Sequence, residues 1–334
     1  MDRDEARFAT ATKTMLINKE YIDIKMVDEV RYKKPIGIYW SQALMNSIIG
    51  KYPYDEIWIY RLPSILGVFI CLIAIYFSIK RLENKQIAFF SIFFLIFSIL
   101  TISEIHQSKT DGLLFLFISL CNLKIYKLIT YKKLSNFDII SFWIFLAFGI
   151  LLKGPIIFIF TILPMLIFSV YKKINLFKLV WSVTGLSALI IISLPWFILI
   201  NIKSGGLFWS ESIGHDLFSK VKSGQESHGF PPGYYTLLLF IFFWPGSVFL
   251  FNFIKEIKLD FKKICMNNFS FYLLISFISP FIIFEIVPTK LPHYVYPCYL
   301  PLSIMISKLI CRNDFKNKLS NFAIIPLLIF PLLV

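Results

Sequence analysis

The chain has 334 residues, of which 57% are hydrophobic, 18% aromatic and only 16% charged, with 37 Phe and a formal charge of +14. Such a composition excludes a soluble globular domain. The positive charge does not mark a nucleic-acid binder either, because the Lys and Arg residues gather in alternate connections between greasy segments.

The first segment, residues 1–62, opens with the charged cluster MDRDEARF. In DEARFATATKTML, Phe8, Ala11, Met15 and Leu16 fall on one helical face, with Asp4 and Arg7 together at its start. In KKPIGIYWSQALMNSII, Pro35 is the expected first helical residue, and Ile36, Tyr39, Trp40, Ala43, Leu44 and Ile48 run along one side. Both helices are expected to lie flat at the outer membrane interface, a depth that suits Tyr39 and Trp40.

Residues 63–334 then read as a transmembrane bundle. Uncharged apolar runs fall near 64–79, 86–103, 112–129, 137–152, 155–171, 179–200, 234–254, 269–287 and 294–309, and another starts near 320. A hydrocarbon core about 30 Å thick takes roughly 20 such residues per helix. The expected fold is therefore an all-α polytopic membrane protein of about ten transmembrane helices. Strand-like alternation is absent, which argues against a β-barrel.

The loops sort by charge. One set carries Lys80, Arg81 and Lys85, then Lys124, Lys127, Lys132 and Lys133, then Lys172, Lys173 and Lys178, then Lys255, Lys258, Lys262 and Lys263, and finally Lys308, Arg312, Lys316 and Lys318. By the positive-inside rule these loops are cytoplasmic. The other set, SEIHQSKTDG, LLKGP, residues 203–233 and VPTKLPHY, then faces outside. This topology puts MDRDEARF outside as well, so a transmembrane helix is expected to precede it. The abrupt end at IIPLLIFPLLV carries the matching expectation of truncation at the C-terminus. Cys71, Cys121, Cys265, Cys298 and Cys311 lie in or beside apolar segments without paired spacing and read as small hydrophobes.

Three polar positions are candidates for chemistry. Asp4 stands at a helix start, where capping and the helix dipole are the competing explanation. Lys34 precedes Pro35 at another helix start, where its charge and the free N–H groups together make a phosphate site. Asp111, in SKTDGLLFLF, stands where an external loop enters a membrane helix, a functional position unless it merely caps. The long loop GHDLFSKVKSGQESHGFPPGYY adds His215, Asp216, Lys220, Glu226 and His228, which could surround a sugar or an acceptor phosphate. A zinc site drawn from His215, Glu226 and His228 has no metal-ligand spacing behind it.

DEAR, KKPIGIYW, YRLPS, SKTDGLLF, LLKGP, LPWF and KLPHYVYP occur in the order and topology of bacterial GT-C glycosyltransferases. The chain resembles the superfamily of lipid A aminoarabinose transferases and protein mannosyltransferases over nearly its whole length. The resemblance implies an inverting membrane enzyme that takes a sugar from a polyprenyl-phosphate carrier at the outer face of the inner membrane. The acceptor would be lipid A, another glycolipid or a protein. On the matching positions, Asp4 would be the first-loop acid with Arg7 beside it, and Asp111 the second-loop acid. Lys34 would bind the carrier phosphate, and Tyr294, near Lys290, would be the late Tyr of the K-L-P-x-Y element. Arg7, Lys34 and Lys290 are thus the phosphate candidates and Asp4 the preferred base, with Asp111 as its alternative or helper. No cofactor is fixed by these motifs; a divalent metal is the open alternative, and Lys33 stands where some members have an acid, removing one ligand.

Two other classes compete. A carrier or flippase for polyprenyl-linked lipids would concentrate paired charges in midplane helices, which here are nearly free of charge. A non-catalytic membrane scaffold would need no acids at matching outer loop positions, and an inactive truncated glycosyltransferase is the further alternative.

Overall fold

The computed structural model describes residues 3–219 and 229–312, with the backbone alone at 215–217. Helix α1 (Arg3–Asn18) buries Phe8, Ala11, Met15 and Leu16, as their spacing requires, together with Glu5 and Thr12. A minimal hairpin of β1 (Lys25–Met26) and β2 (Glu29–Val30) follows. Helix α2 (Gly37–Ile48) begins two residues after Pro35, whose fixed φ suits a helix entrance.

The buried face of α2 differs from the one expected. Ile36, Tyr39 and Ala43 are buried, but Trp40, Leu44 and Ile48 are exposed while Gln42 and Asn46 are buried. Gln42 accepts from the Thr12 hydroxyl at 2.7 Å and donates to Ser108 Oγ at 2.7 Å. Polar residues therefore join α2 to the protein, and the Trp40–Leu44–Ile48 stripe is left to the lipid interface.

The bundle comprises α3 (Ile57–Leu82), α4 (Lys85–Ile96), α5 (Ile99–Ile105), α6 (Asp111–Tyr131), α7 (Asn136–Lys153), α8 (Ile156–Lys172), α9 (Leu176–Val180) and α10 (Val183–Ser204). It continues with α11 (Tyr234–Phe242), α12 (Leu250–Met266), α13 (Asn268–Ile286) and α14 (Tyr299–Ile310). Among the described residues, five helices (α3, α6, α7, α10 and α13) are long and apolar enough to cross a membrane alone. Two bent pairs raise the number to seven, and α8 is a shorter apolar helix of 17 residues.

Those bends break two expected runs. Between α4 and α5 the axis turns by 63°, at Ser98, whose Oγ accepts from Thr101 N–H at 3.2 Å and so starts a new helix. Between α11 and the segment from Gly246 the turn is 117°. Pro245, which has no N–H to give, separates the two.

Glycines let the site-bearing elements touch. A Cβ on Gly112 would stand 3.0 Å from Ser64 Cα, so α6 lies against α3 where YRLPS meets SKTDG. Ser64 Oγ also donates to Lys109 C=O at 3.1 Å. A Cβ on Gly37 would meet Leu151 O at 2.8 Å, which brings KKPIG against the end of α7.

The two loop classes separate to opposite ends. At one end Lys308 binds Glu83 at 2.5 Å, Tyr131 OH donates to Arg81 C=O, and Lys124 binds Asp138. At the other end α1, α2 and the hairpin sit on α7 and α10 through a second core that includes Tyr39, Leu152 and Trp196. Trp196 Nε1, from LPWF, donates to Ile22 C=O at 3.1 Å, and Lys203 pairs with Glu20. Gly229 bridges Thr289 at this end too.

Candidate active site

Two carboxylates are gathered beneath α1. Glu5, one residue beyond Asp4, is turned inward by the helix and accepts from Arg61 Nε at 2.6 Å and Nη2 at 3.0 Å. Its Oε1 also accepts from Ser108 N–H at 3.0 Å. Burial alone would raise its pKa, but Arg61 and the Ser108 amide outweigh burial and hold it below the ordinary value. This network ties the start of α1 to α3 and to the turn before Asp111.

Asp111 is the first residue of α6 and is buried. Its Oδ1 accepts from Lys153 Nζ at 2.6 Å and its Oδ2 from Thr110 Oγ1 at 3.1 Å. Lys153 ends α7 in LLKGP, and its ammonium lies 5.1 Å from the Tyr294 ring centroid, over the ring. His293, from the 3-10 turn Pro292–Cys298, points Nε2 at Asp111 Oδ2 (3.9 Å) and Nδ1 at Glu104 Oε1 (3.8 Å). Burial pushes its pKa down to about 3; Lys153 and Lys109 act in the same direction, and Asp111 and Asp4 oppose them. Burial thus favours the neutral imidazole.

Lys33, Lys34, Asp111, Lys153, His293 and Tyr294 share a cavity of about 470 Å³. Among the described residues, three lysines and one carboxylate line it, which makes its polar end cationic. The remainder of the wall is apolar, built from α8 residues such as Phe158 and Phe160 and from Ile283 and Phe284 of α13, with the Phe160 and Phe284 rings stacked at 5.5 Å. A cationic end with an apolar flank is the shape that a lipid phosphate needs.

Of the residues expected from sequence, Lys34, Asp111 and Tyr294 line this cavity. Asp4 and Arg7 do not line it; Asp4 is 38% exposed, accepts from Arg7 Nη1 at 3.4 Å, and is close enough to act electrostatically on His293. Lys290 does not line the cavity. Its ammonium is buried and donates to three carbonyls at the end of α13, those of Phe284 (3.1 Å), Glu285 (2.6 Å) and Val287 (3.0 Å). It is a helix C-cap with its donors committed, and burial lowers its pKa against the opposing pull of Glu285. His215 and Asp216 belong to the π-helical segment Ser210–Phe218, whose Ser212 and Ile213 border the cavity; their side chains lie outside the description. Lys220, Glu226 and His228 lie outside the described residues.

Lys153, Glu5, Arg61, Glu104 and His293 were not singled out from sequence. Lys153 alone carried a usable signal, a cation ending an apolar run just before Gly-Pro. Glu104, Asp111 and His293 offer ligand atoms within 4.8 Å of one another, a donor set that suits a divalent ion. Lys153 already occupies Asp111 Oδ1 and Thr110 Oγ1 donates to Oδ2, so an ion there would compete with both.

Residues 33–196 match the family model described as dolichyl-phosphate-mannose-protein mannosyltransferase. The undecaprenyl phosphate-alpha-4-amino-4-deoxy-L-arabinose arabinosyl transferase 2 of Proteus mirabilis is 25% identical over 327 residues, covering 94% of this chain and 56% of that protein. A relative with the corresponding name from Wigglesworthia glossinidia brevipalpis is 27% identical over 322 residues, covering 94% of this chain and 55% of its own. The chain thus spans a little over half the length of these relatives. Its fold is similar to that of ArnT from Cupriavidus metallidurans bound to undecaprenyl phosphate, with a TM-score of 0.83 at 18% identity over 94% of this chain and 56% of the other. The oligosaccharyltransferase AglB from Archaeoglobus fulgidus, solved with an inhibitory peptide and a dolichol-phosphate, superposes less closely, with a TM-score of 0.55 at 12% identity over 98% of this chain and 50% of the other.

Proposed function

We propose that this chain, whose residues 33–196 match the mannosyltransferase family model and which is similar to aminoarabinose transferases over most of its length, is a GT-C glycosyltransferase that moves a sugar from a polyprenyl-phosphate carrier to a glycolipid acceptor. The carrier is an undecaprenyl phosphate and the sugar a pentose of the aminoarabinose kind, by similarity to the relatives, and the acceptor is lipid A, as the resemblance of the sequence motifs implies. The protein sits as a multi-pass chain in the bacterial inner membrane, with residues 1–62 and the loop 203–233 on the outer side. The observation that carries this reading is the cavity itself, cationic at Lys34 and Lys153 and apolar along α8 and α13.

The chemistry follows from that arrangement. An acceptor oxygen attacks the anomeric carbon from the face opposite the carrier phosphate, the bond from that carbon to the phosphate oxygen breaks, and the configuration inverts. Asp4, partly exposed beside Arg7, takes the acceptor's proton as general base. Lys34 and Lys153 hold the phosphate as its negative charge grows. Asp111, ion-paired at 2.6 Å, fixes the Lys153 ammonium at the cavity wall. The apolar wall keeps bulk water from hydrolysing the donor.

Binding is the direct test. The chain in lipid nanodiscs should take up undecaprenyl phosphate in preference to undecaprenol, and Lys34→Ala and Lys153→Ala should each weaken that preference by roughly tenfold or more, the loss of a charge-assisted hydrogen bond. Equal uptake of the phosphate and the alcohol would remove the cavity from the reading.

A further inference from the structure

We propose that the groove between the basic ends of α3, α6 and α7 holds the headgroup of an anionic phospholipid taken from the surrounding membrane. This groove, of about 300 Å³, is at the opposite end of the bundle from the donor cavity. Arg81, Lys124 and Lys127 stand at its rim around one carboxylate, Asp138. Lys124 and Lys127 donate to the two oxygens of Asp138 at 2.7 and 2.6 Å, and Ser135 Oγ donates to it at 2.8 Å. Three cations against one anion leave the rim positive. Lys124 is largely enclosed, whereas Arg81 is exposed and Lys127 is 43% exposed, so two cations remain accessible to a ligand.

Depth distinguishes this groove from an ordinary solvated cluster. Seven residues toward the middle of each helix, Arg81 gives way to Ala74, Lys127 to Leu120 and Asp138 to Phe145, and all three line the same groove. At about 1.5 Å of rise per residue these apolar positions lie about 10 Å below the charges, with Phe77 and Leu123 between them. All three helices repeat the same step from charge to hydrocarbon. Cytoplasmic lysines that serve only to orient the chain need no apolar shaft beneath them. A diacyl phospholipid with a net negative headgroup matches both parts, and such lipids are attracted to basic clusters on the cytoplasmic leaflet, where the charge pattern puts this end. The inference rests on that topology and is independent of the transfer chemistry.

The test is lipid retention by the purified full chain, delipidated in detergent and examined by native mass spectrometry after addition of phosphatidylglycerol, phosphatidylcholine or inorganic phosphate. Phosphatidylglycerol should be retained and phosphatidylcholine lost. The double variant R81Q/K127Q, which leaves Lys124 on Asp138, should retain roughly tenfold less phosphatidylglycerol or lower still. Ala74→Phe, which fills the shaft and touches no charge, should also lose it; thermal unfolding of each variant verifies that it is folded. Equal retention of phosphatidylcholine, or wild-type retention by both folded variants, overturns the proposal. Displacement of phosphatidylglycerol by millimolar inorganic phosphate would identify a free anion as the ligand and overturn it as well.

Discussion

Replacing Lys290 by Met separates two roles that one buried lysine can have. If its ammonium caps α13, as its three carbonyl contacts at 3.1, 2.6 and 3.0 Å indicate, the loss falls on stability. Met keeps much of the volume of the side chain but donates nothing. A buried carbonyl left without a donor costs about 1–3 kcal/mol. Three orphaned together set a loss of about 3 kcal/mol, and water entering the gap keeps it from rising to the full sum. Glu285 is not stranded by the change, because Thr236 N–H and Oγ1 still donate to it at 2.9 and 2.8 Å. The assay is thermal unfolding in detergent followed by tryptophan fluorescence, paired with undecaprenyl phosphate binding at a temperature where the variant is folded. The expected result is a clearly lower midpoint with unchanged affinity. A variant of normal stability that binds the carrier phosphate weakly would refute the capping assignment and return Lys290 to the phosphate site.

Glu5→Gln should cost about 2–3 kcal/mol, because Arg61 and the Ser108 amide lose a charged acceptor. Since the Glu5 carboxyl is held below its ordinary value of about 4.5, its contribution is fully present above that pH and lost as pH falls through the folded-state value. Wild-type stability should therefore drop on acidification below about 4.5, more steeply than that of the variant; parallel curves would contradict the network. Gly112→Ala should lower the unfolding midpoint, at a cost of about 1–3 kcal/mol, because its methyl would stand 3.0 Å from Ser64 Cα and force α3 and α6 apart. Stripping divalent ions with EDTA should leave carrier-phosphate affinity unchanged, since three lysines line the cavity; a loss restored by added Mg²⁺ or Mn²⁺ would assign an ion to Glu104, Asp111 and His293.

The membrane helices were legible because their signal is local: an uncharged run such as 112–129 has one stable use in a bilayer. Alternating lysine-rich loops gave the pairing of ends, and the structure brings Lys308 to Glu83 and Lys124 to Asp138 at one of them. The bend at Ser98 was hidden because a serine in a greasy run caps a new helix only if the chain turns there. The face of α2 was misjudged because lipid reverses the usual rule: Leu44 and Ile48 are exposed and Gln42 and Asn46 buried. Lys34 and Asp111 stood out as charges at helix starts, whereas Lys153 and His293 reach Asp111 only through tertiary contacts between distant segments. Nothing in KLPHY announces that the Lys290 ammonium turns back onto α13, for the same reason.

The most direct measurement is transfer itself. The chain and its Asp4→Asn variant, in vesicles containing lipid A and undecaprenyl phosphate carrying 4-amino-4-deoxy-L-arabinose, are followed by mass spectrometry of the acceptor. The predicted result is lipid A heavier by one aminopentosyl group, formed about a hundredfold more slowly by Asp4→Asn, which retains capping ability but not a basic carboxylate. Donor that is bound, or moved between leaflets, with its sugar still attached would contradict glycosyl transfer and favour a lipid carrier.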